Sequence, residues 1–171
     1  MADAYTELAR ASFESWTRDG VRIAIPDGLP TELTETRAGC FVSLHIGDDL
    51  RGCIGTIVAT QPTLADEIID NAIAACSRDP RFPAVRPEEL AGIHCSVDVL
   101  GEPEDIAGPD ELDVKRYGVI VSKDFRRGLL LPDLDGVDTV EAQITIAKQK
   151  AGIRLSETCK LQRFEVIRHG E

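Results

Sequence analysis

Near the start of the chain, Leu8, Ala9, Ser12, Phe13 and Trp16 recur at helical spacing on one face. Asp3 is placed to cap that helix and Gly20 to end it. After a Pro- and Gly-bearing loop at 26–30 and a polar stretch at 31–37, two β-branched or apolar runs follow, 39–46 and 50–58. Gly47-Asp48-Asp49 separates them as turn chemistry, so the pair predicts a β-hairpin. With the turn centred on Asp48, Cys53 falls opposite Ser43 and Arg51 opposite His45, all four on one sheet face. A one-residue slip would give Cys53 other partners.

Thr60-Gln61-Pro62 predicts the opening of a second helix, striped inward by Leu64, Ile68, Ala72 and Ala75. It stops at Arg78-Asp79-Pro80, because the residue before proline resists helical geometry. Arg86–Leu90 reads as a short helical turn. Ile93–Leu100 alternates as a strand, with Ile93, Cys95, Val97 and Val99 on one face and His94, Ser96 and Asp98 on the other. Val119–Ser122 and Leu129–Leu131 predict a second hairpin around 124–128, where Arg126 and Arg127 are expected in the solvated turn. Asp138 and Glu141 have capping-box spacing for a helix that buries Val140, Ile144, Ala147 and Ala151 and closes with Lys148, Lys150 and Gly152. Leu161–Ile167 is the last strand, expected within the main sheet. The pattern predicts an α/β (α+β) fold with mainly antiparallel or mixed sheet flanked by helices.

Composition narrows the class. With 171 residues, 43 % of them hydrophobic and 29 % charged, the chain is one domain or two small lobes sharing a core. No run approaches the length of a membrane span, and the acidic start lacks the features of a signal peptide, so a cytoplasmic protein without a membrane partner is expected. A net charge of −11 opposes nucleic acid as the main partner. The five cysteines, 40, 53, 76, 95 and 159, show no C-x-x-C or zinc spacing, and no metal or cofactor is expected. Cys40, Cys76 and Cys95 read as small buried hydrophobes, whereas Cys159 sits in a polar segment. Asp133, Asp135 and Asp138 lack the spacing of a calcium loop.

Candidate chemistry gathers at Leu50-Arg51-Gly52-Cys53-Ile54-Gly55 and at Asp79-Pro80-Arg81-Phe82-Pro83. Glycine is costly inside a strand, so Gly52 and Gly55 mark a bulge or a close approach of another backbone or a ligand. Asp79 and Arg81 bracket a proline. Either they form an internal ion pair in a rigid turn with Phe82 as anchor, or Asp79 holds an arginine that recognises an anionic group, and the two readings are compatible. Asn71 is the polar residue on a small-residue helix face.

These segments resemble the AMMECR-one family. The resemblance rests on the Leu-Arg-Gly-Cys-Ile-Gly core, the Asn71-Ala72 helix, Asp79–Pro83, Gly128-Leu129-Leu130-Leu131-Pro132, Lys150-Ala151-Gly152 and the closing Arg163–Val166, and it runs from Phe13 to His169. It implies an α/β fold of two lobes, the smaller expected around 60–115, with the motif residues lining a cleft between them. Bacterial and archaeal members are similar to the "A" component encoded beside a Memo-type protein and a radical S-adenosylmethionine enzyme, which makes those two proteins the expected partners. No reaction is implied.

Two function classes follow. In the first, Arg51, Gly52, Gly55, Asn71, Asp79, Arg81 and Phe82 bind an anionic small molecule or peptide, the protein being an accessory component. In the second, Cys53 is a nucleophile whose thiolate Arg51 favours. A third, bland reading makes Cys53 only the side chain that fits beneath a crossing loop.

Overall fold

The computed structural model describes residues 2–171. Its elements are α1 (Ala4–Asp19), α2 (Thr31–Glu35), β1 (Cys40–Ile46), β2 (Asp49–Gly55), α3 (Leu64–Ser77), β3 (Ile93–Leu100), β4 (Glu104–Ile106), β5 (Gly118–Lys123), β6 (Arg126–Leu130), α4 (Val140–Ala151), β7 (Lys160–Phe164) and β8 (Val166–Gly170). They make two antiparallel four-stranded sheets, ordered β2-β1-β3-β8 and β4-β7-β5-β6, with helices packed on them. The fold is α+β.

The chain divides into two units, one of residues up to Leu100 together with Ile167–Glu171, the other Gly101–Val166. The division corrects the placement of the smaller lobe around 60–115. Helix α3 packs on α1, β1 and β2, so its apolar stripe ties 64–77 to the first unit. The expected single last strand is also corrected. It breaks after Phe164 into β7, which pairs with β5, and β8, which joins the first sheet beside β3.

In the first unit α1 starts at a capping box in which Asp3 accepts from the backbone of Tyr5 and Thr6. It ends at Gly20 in the left-handed region, as its sequence predicts. Phe13 of α1 and Ile68 and Ile69 of α3 bury against Val42, Leu44 and Val97 of the sheet. Helix α3 begins one turn later than Thr60 suggested, because the Thr63 hydroxyl caps it by accepting from Asp66 N–H at 3.1 Å. The loop before it is held by buried Glu67, whose carboxylate accepts from Thr60 and Gln61.

In the second unit the β5–β6 turn is only Asp124-Phe125, so Arg126 and Arg127 lie in strand β6 rather than in a solvated turn. Arg126 is paired with Glu157 at 3.0 Å. Helix α4 is capped by Thr139, which accepts from Ala142 N–H, and not by an Asp138 capping box. Gly152 closes it in the left-handed region. Ala147 packs with Val119, Val121 and Leu130.

Candidate functional site

All eight candidate residues lie in the first unit, and the β1–β2 hairpin carries four of them, Arg51, Gly52, Cys53 and Gly55. Thr56 N–H donates to Cys40 C=O at 3.0 Å, which sets the phase of the ladder. Ser43 then faces Cys53 as a pair that exchanges no backbone bonds, and the N–H and C=O of Cys53 point outward from the sheet edge. The predicted Ser43–Cys53 pairing holds, and the Ser43 hydroxyl donates to Cys53 Sγ at 3.1 Å. The predicted Arg51–His45 pairing does not. The register shifts between Leu44 and His45, so Leu44 faces Gly52, His45 faces Leu50, and Arg51 is the extra residue of a bulge.

Gly52 confirms the close approach that its position in a strand implied. A Cβ there would lie 2.2 Å from the carbonyl oxygen of Ala75, so the α3 backbone rests directly on β2. A Cβ on Gly55 would meet the Phe41 ring at 2.3 Å and Cys40 O at 2.5 Å. Both glycines therefore permit packing within the unit.

Two arginines leave this strand region differently committed. The bulge lets Arg51 reach away from the sheet, where Nε and Nη2 grip the Glu89 carboxylate at 2.9 and 3.1 Å. Nη1 and Nη2 also donate to the carbonyls of Pro83 and Ala84. The Arg51 side chain is 13 % exposed. Glu89 additionally accepts from Arg86 N–H at 2.8 Å, and Arg51, as the main cause, holds its carboxyl below the usual carboxylate range. Glu89 was not a sequence candidate; its place three residues after Arg86, at capping-box spacing, was the available signal.

Arg81 forms the internal ion pair that its sequence suggested. Its Nε and Nη2 reach the two Asp79 oxygens at 3.0 and 2.7 Å. Asp79 also accepts from the backbone N–H of Arg81 and of Cys53, each at 3.0 Å. The Arg81 guanidinium, first, and these N–H donors hold the Asp79 carboxyl far below the usual range, against the opposing effect of burial. Arg81 Nη2 completes the clamp at Cys53 C=O, 3.3 Å away. Phe82 stacks beneath Arg81, with the guanidinium carbon 5.4 Å from the ring centroid.

Arg51, Phe82, Pro83, Ala84, Arg86 and Glu89 line a pocket of about 340 Å³. Asn71 is elsewhere. It is buried in α3, and its amide donates to Cys40 C=O at 3.0 Å and Thr56 Oγ1 at 3.2 Å, joining the helix to β1 and to the residue that follows β2. Cys40, Cys76 and Cys95 are buried as expected, and burial pushes the Cys40 and Cys95 thiols up to about 12. Cys159 is half-buried and packs against the second core. Among the described residues no three His, Cys, Asp or Glu side chains converge on a metal-binding position, and no helix is long and apolar enough to cross a membrane.

This arrangement of a clamped edge strand and an arginine-lined pocket sits on a chain that belongs to the AMMECR1 family, whose model matches residues 6–169. A protein of Thermotoga maritima is 52 % identical over 167 residues, 96 % of either chain. One of Clostridium acetobutylicum is 49 % identical over 170 residues, and this chain spans 36 % of its length. The crystal structure of an uncharacterised protein from Pyrococcus horikoshii has a TM-score of 0.89 at 34 % identity, covering 96 % of this chain and 88 % of that one.

Proposed function

We propose that the chain is a binding module that takes an anionic group, carried by a small molecule or a peptide, beside the Asp79–Glu89 segment. The observation that carries this reading is the state of Arg81. Asp79 and Cys53 C=O use Nε and Nη2, fix the plane of the guanidinium, and leave Nη1 with no partner among the described residues, on a side chain 52 % exposed. A guanidinium already immobilised loses little entropy on binding a carboxylate or phosphate. Arg86, largely exposed at the rim of the neighbouring pocket, supplies a second cation, and Phe82 and Pro83 an apolar wall. Arg51, spent on Glu89, acts as the floor of that pocket. Service to a Memo-type protein and a radical enzyme belongs to the same proposal and is supported by family resemblance alone.

A second reading keeps Cys53 as a nucleophile, favoured by the Ser43 hydroxyl aimed at Sγ. One experiment separates the two. Phosphate and citrate are titrated into the wild type, Arg81→Gln, Arg86→Gln and Cys53→Ser, with backbone amide shifts followed by NMR. Saturable shifts around 81–89 that weaken in both arginine variants and persist in Cys53→Ser support the binding module. Shifts unchanged in the arginine variants would sink it. Rapid alkylation of Cys53 in the folded protein, with a midpoint well below ~8.5, would move the assignment to the enzyme.

A further inference from the structure

We propose that His45 and His94 form a two-histidine site for a borderline divalent transition ion such as zinc, nickel or copper. The inference is independent of anion binding and rests on sheet register. His45 of β1 and His94 of β3 are directly opposed. Leu100 N–H donates to Gly39 C=O at 3.0 Å, which fixes the phase of this ladder and makes 45–94 a backbone hydrogen-bonded pair. Facing residues of such a pair project to the same side, with Cβ atoms about 5 Å apart. Two imidazoles so placed can converge on one ion at about 2 Å from each ring nitrogen.

The surroundings suit that use. His94 is exposed and His45 half-buried, and neither ring has a hydrogen-bond or ionic partner among the described residues. His169, by contrast, is spent: its Nδ1 meets Asp3 at 2.5 Å and its ring stacks on Tyr5 at 3.7 Å. Neutral imidazole suits zinc, nickel and copper rather than calcium or magnesium. The paired strands hold both ligands in register before the ion arrives, so its binding orders little backbone. Among the described residues no third His, Cys, Asp or Glu joins the pair, so water completes the coordination shell and leaves exchangeable positions. The next pair along the same face is Ser43–Ser96, and Ser43 is the residue that donates to Cys53. The ion would thus stand one residue pair from the thiol.

The test is calorimetric titration of Ni²⁺ alone into the full chain under reducing conditions, comparing wild type, His45→Asn, His94→Asn, His169→Asn and Cys53→Ser. The expected result is one saturable ion per chain, lost in both His45→Asn and His94→Asn and retained in His169→Asn and Cys53→Ser. His94 is exposed, so its variant should keep the wild-type circular dichroism, and loss of binding there is not a loss of fold. The absence of saturable binding in the wild type overturns the proposal. So does binding that survives His94→Asn, or that disappears in Cys53→Ser while both histidines remain.

Discussion

The carboxylate of Asp79 takes the place of a neighbouring strand for Cys53. It accepts the outward N–H of Cys53 at 3.0 Å while its partner Arg81 donates to the outward C=O at 3.3 Å. Strand β2 is the edge of its sheet, so an ion pair satisfies backbone groups that an open edge would offer to another chain.

Asp79→Asn should therefore cost about 2 kcal/mol at neutral pH, since it removes charge-assisted bonds to a residue only 4 % exposed. The pH dependence has a definite sign. The folded-state pKa is lowered relative to the unfolded chain, so the stabilisation is complete above the unfolded value of about 4 and is lost as pH falls below it. Urea midpoints measured across the acid range should converge for wild type and Asp79→Asn as pH drops. Parallel curves would show that the ionised carboxylate is not what stabilises the loop.

Gly52→Ala should be among the most damaging single-methyl changes in the chain. The added Cβ would meet the Ala75 carbonyl at 2.2 Å, and that oxygen belongs to helix backbone rather than to a side chain that can rotate away. A loss of about 3 kcal/mol or failure to fold is expected. Gly92→Ala, where a Cβ meets nothing within 4 Å, is the control. Thermal unfolding of both variants decides it.

Asn71→Ala should destabilise by about 1 kcal/mol, because the Cys40 carbonyl keeps the Thr56 N–H but loses its side-chain donor. Anion binding measured where the variant is still fully folded should match wild type. A weakened anion response at full folding would return Asn71 to the site.

Arg51 and Glu89 should be energetically coupled. In a double-mutant cycle of Arg51→Gln and Glu89→Gln, followed by urea denaturation, the interaction energy should be about 1–2 kcal/mol, above that of an exposed pair. A value near zero would mean that the Pro83 and Ala84 carbonyls alone hold Arg51.

Much of this is legible in the sequence. Helix α1 with its Asp3 cap, strand β3 to the residue, the Ser43–Cys53 pairing and the Asp79–Arg81 pair all follow from local chemistry at short spacing. What escaped depended on events with no local signature. A one-residue bulge moved Arg51 off His45. A strand read as continuous split after Phe164 because its halves serve different sheets. Glu89 became the partner of Arg51, and His94 the neighbour of His45, only once distant strands and turns were placed together. Asn71 looked like a site residue because its polarity is evident in the sequence, whereas the carbonyl that consumes it is not.

The edge clamp has a consequence for colloidal behaviour. The composition puts the isoelectric point near 4.7, where the repulsion that keeps a strongly acidic protein dispersed vanishes. Asp79 stays ionised through that pH because its pKa is held well below it. Molecules brought together there meet with β2 still capped at Cys53, where neither backbone group is open to a strand of another copy.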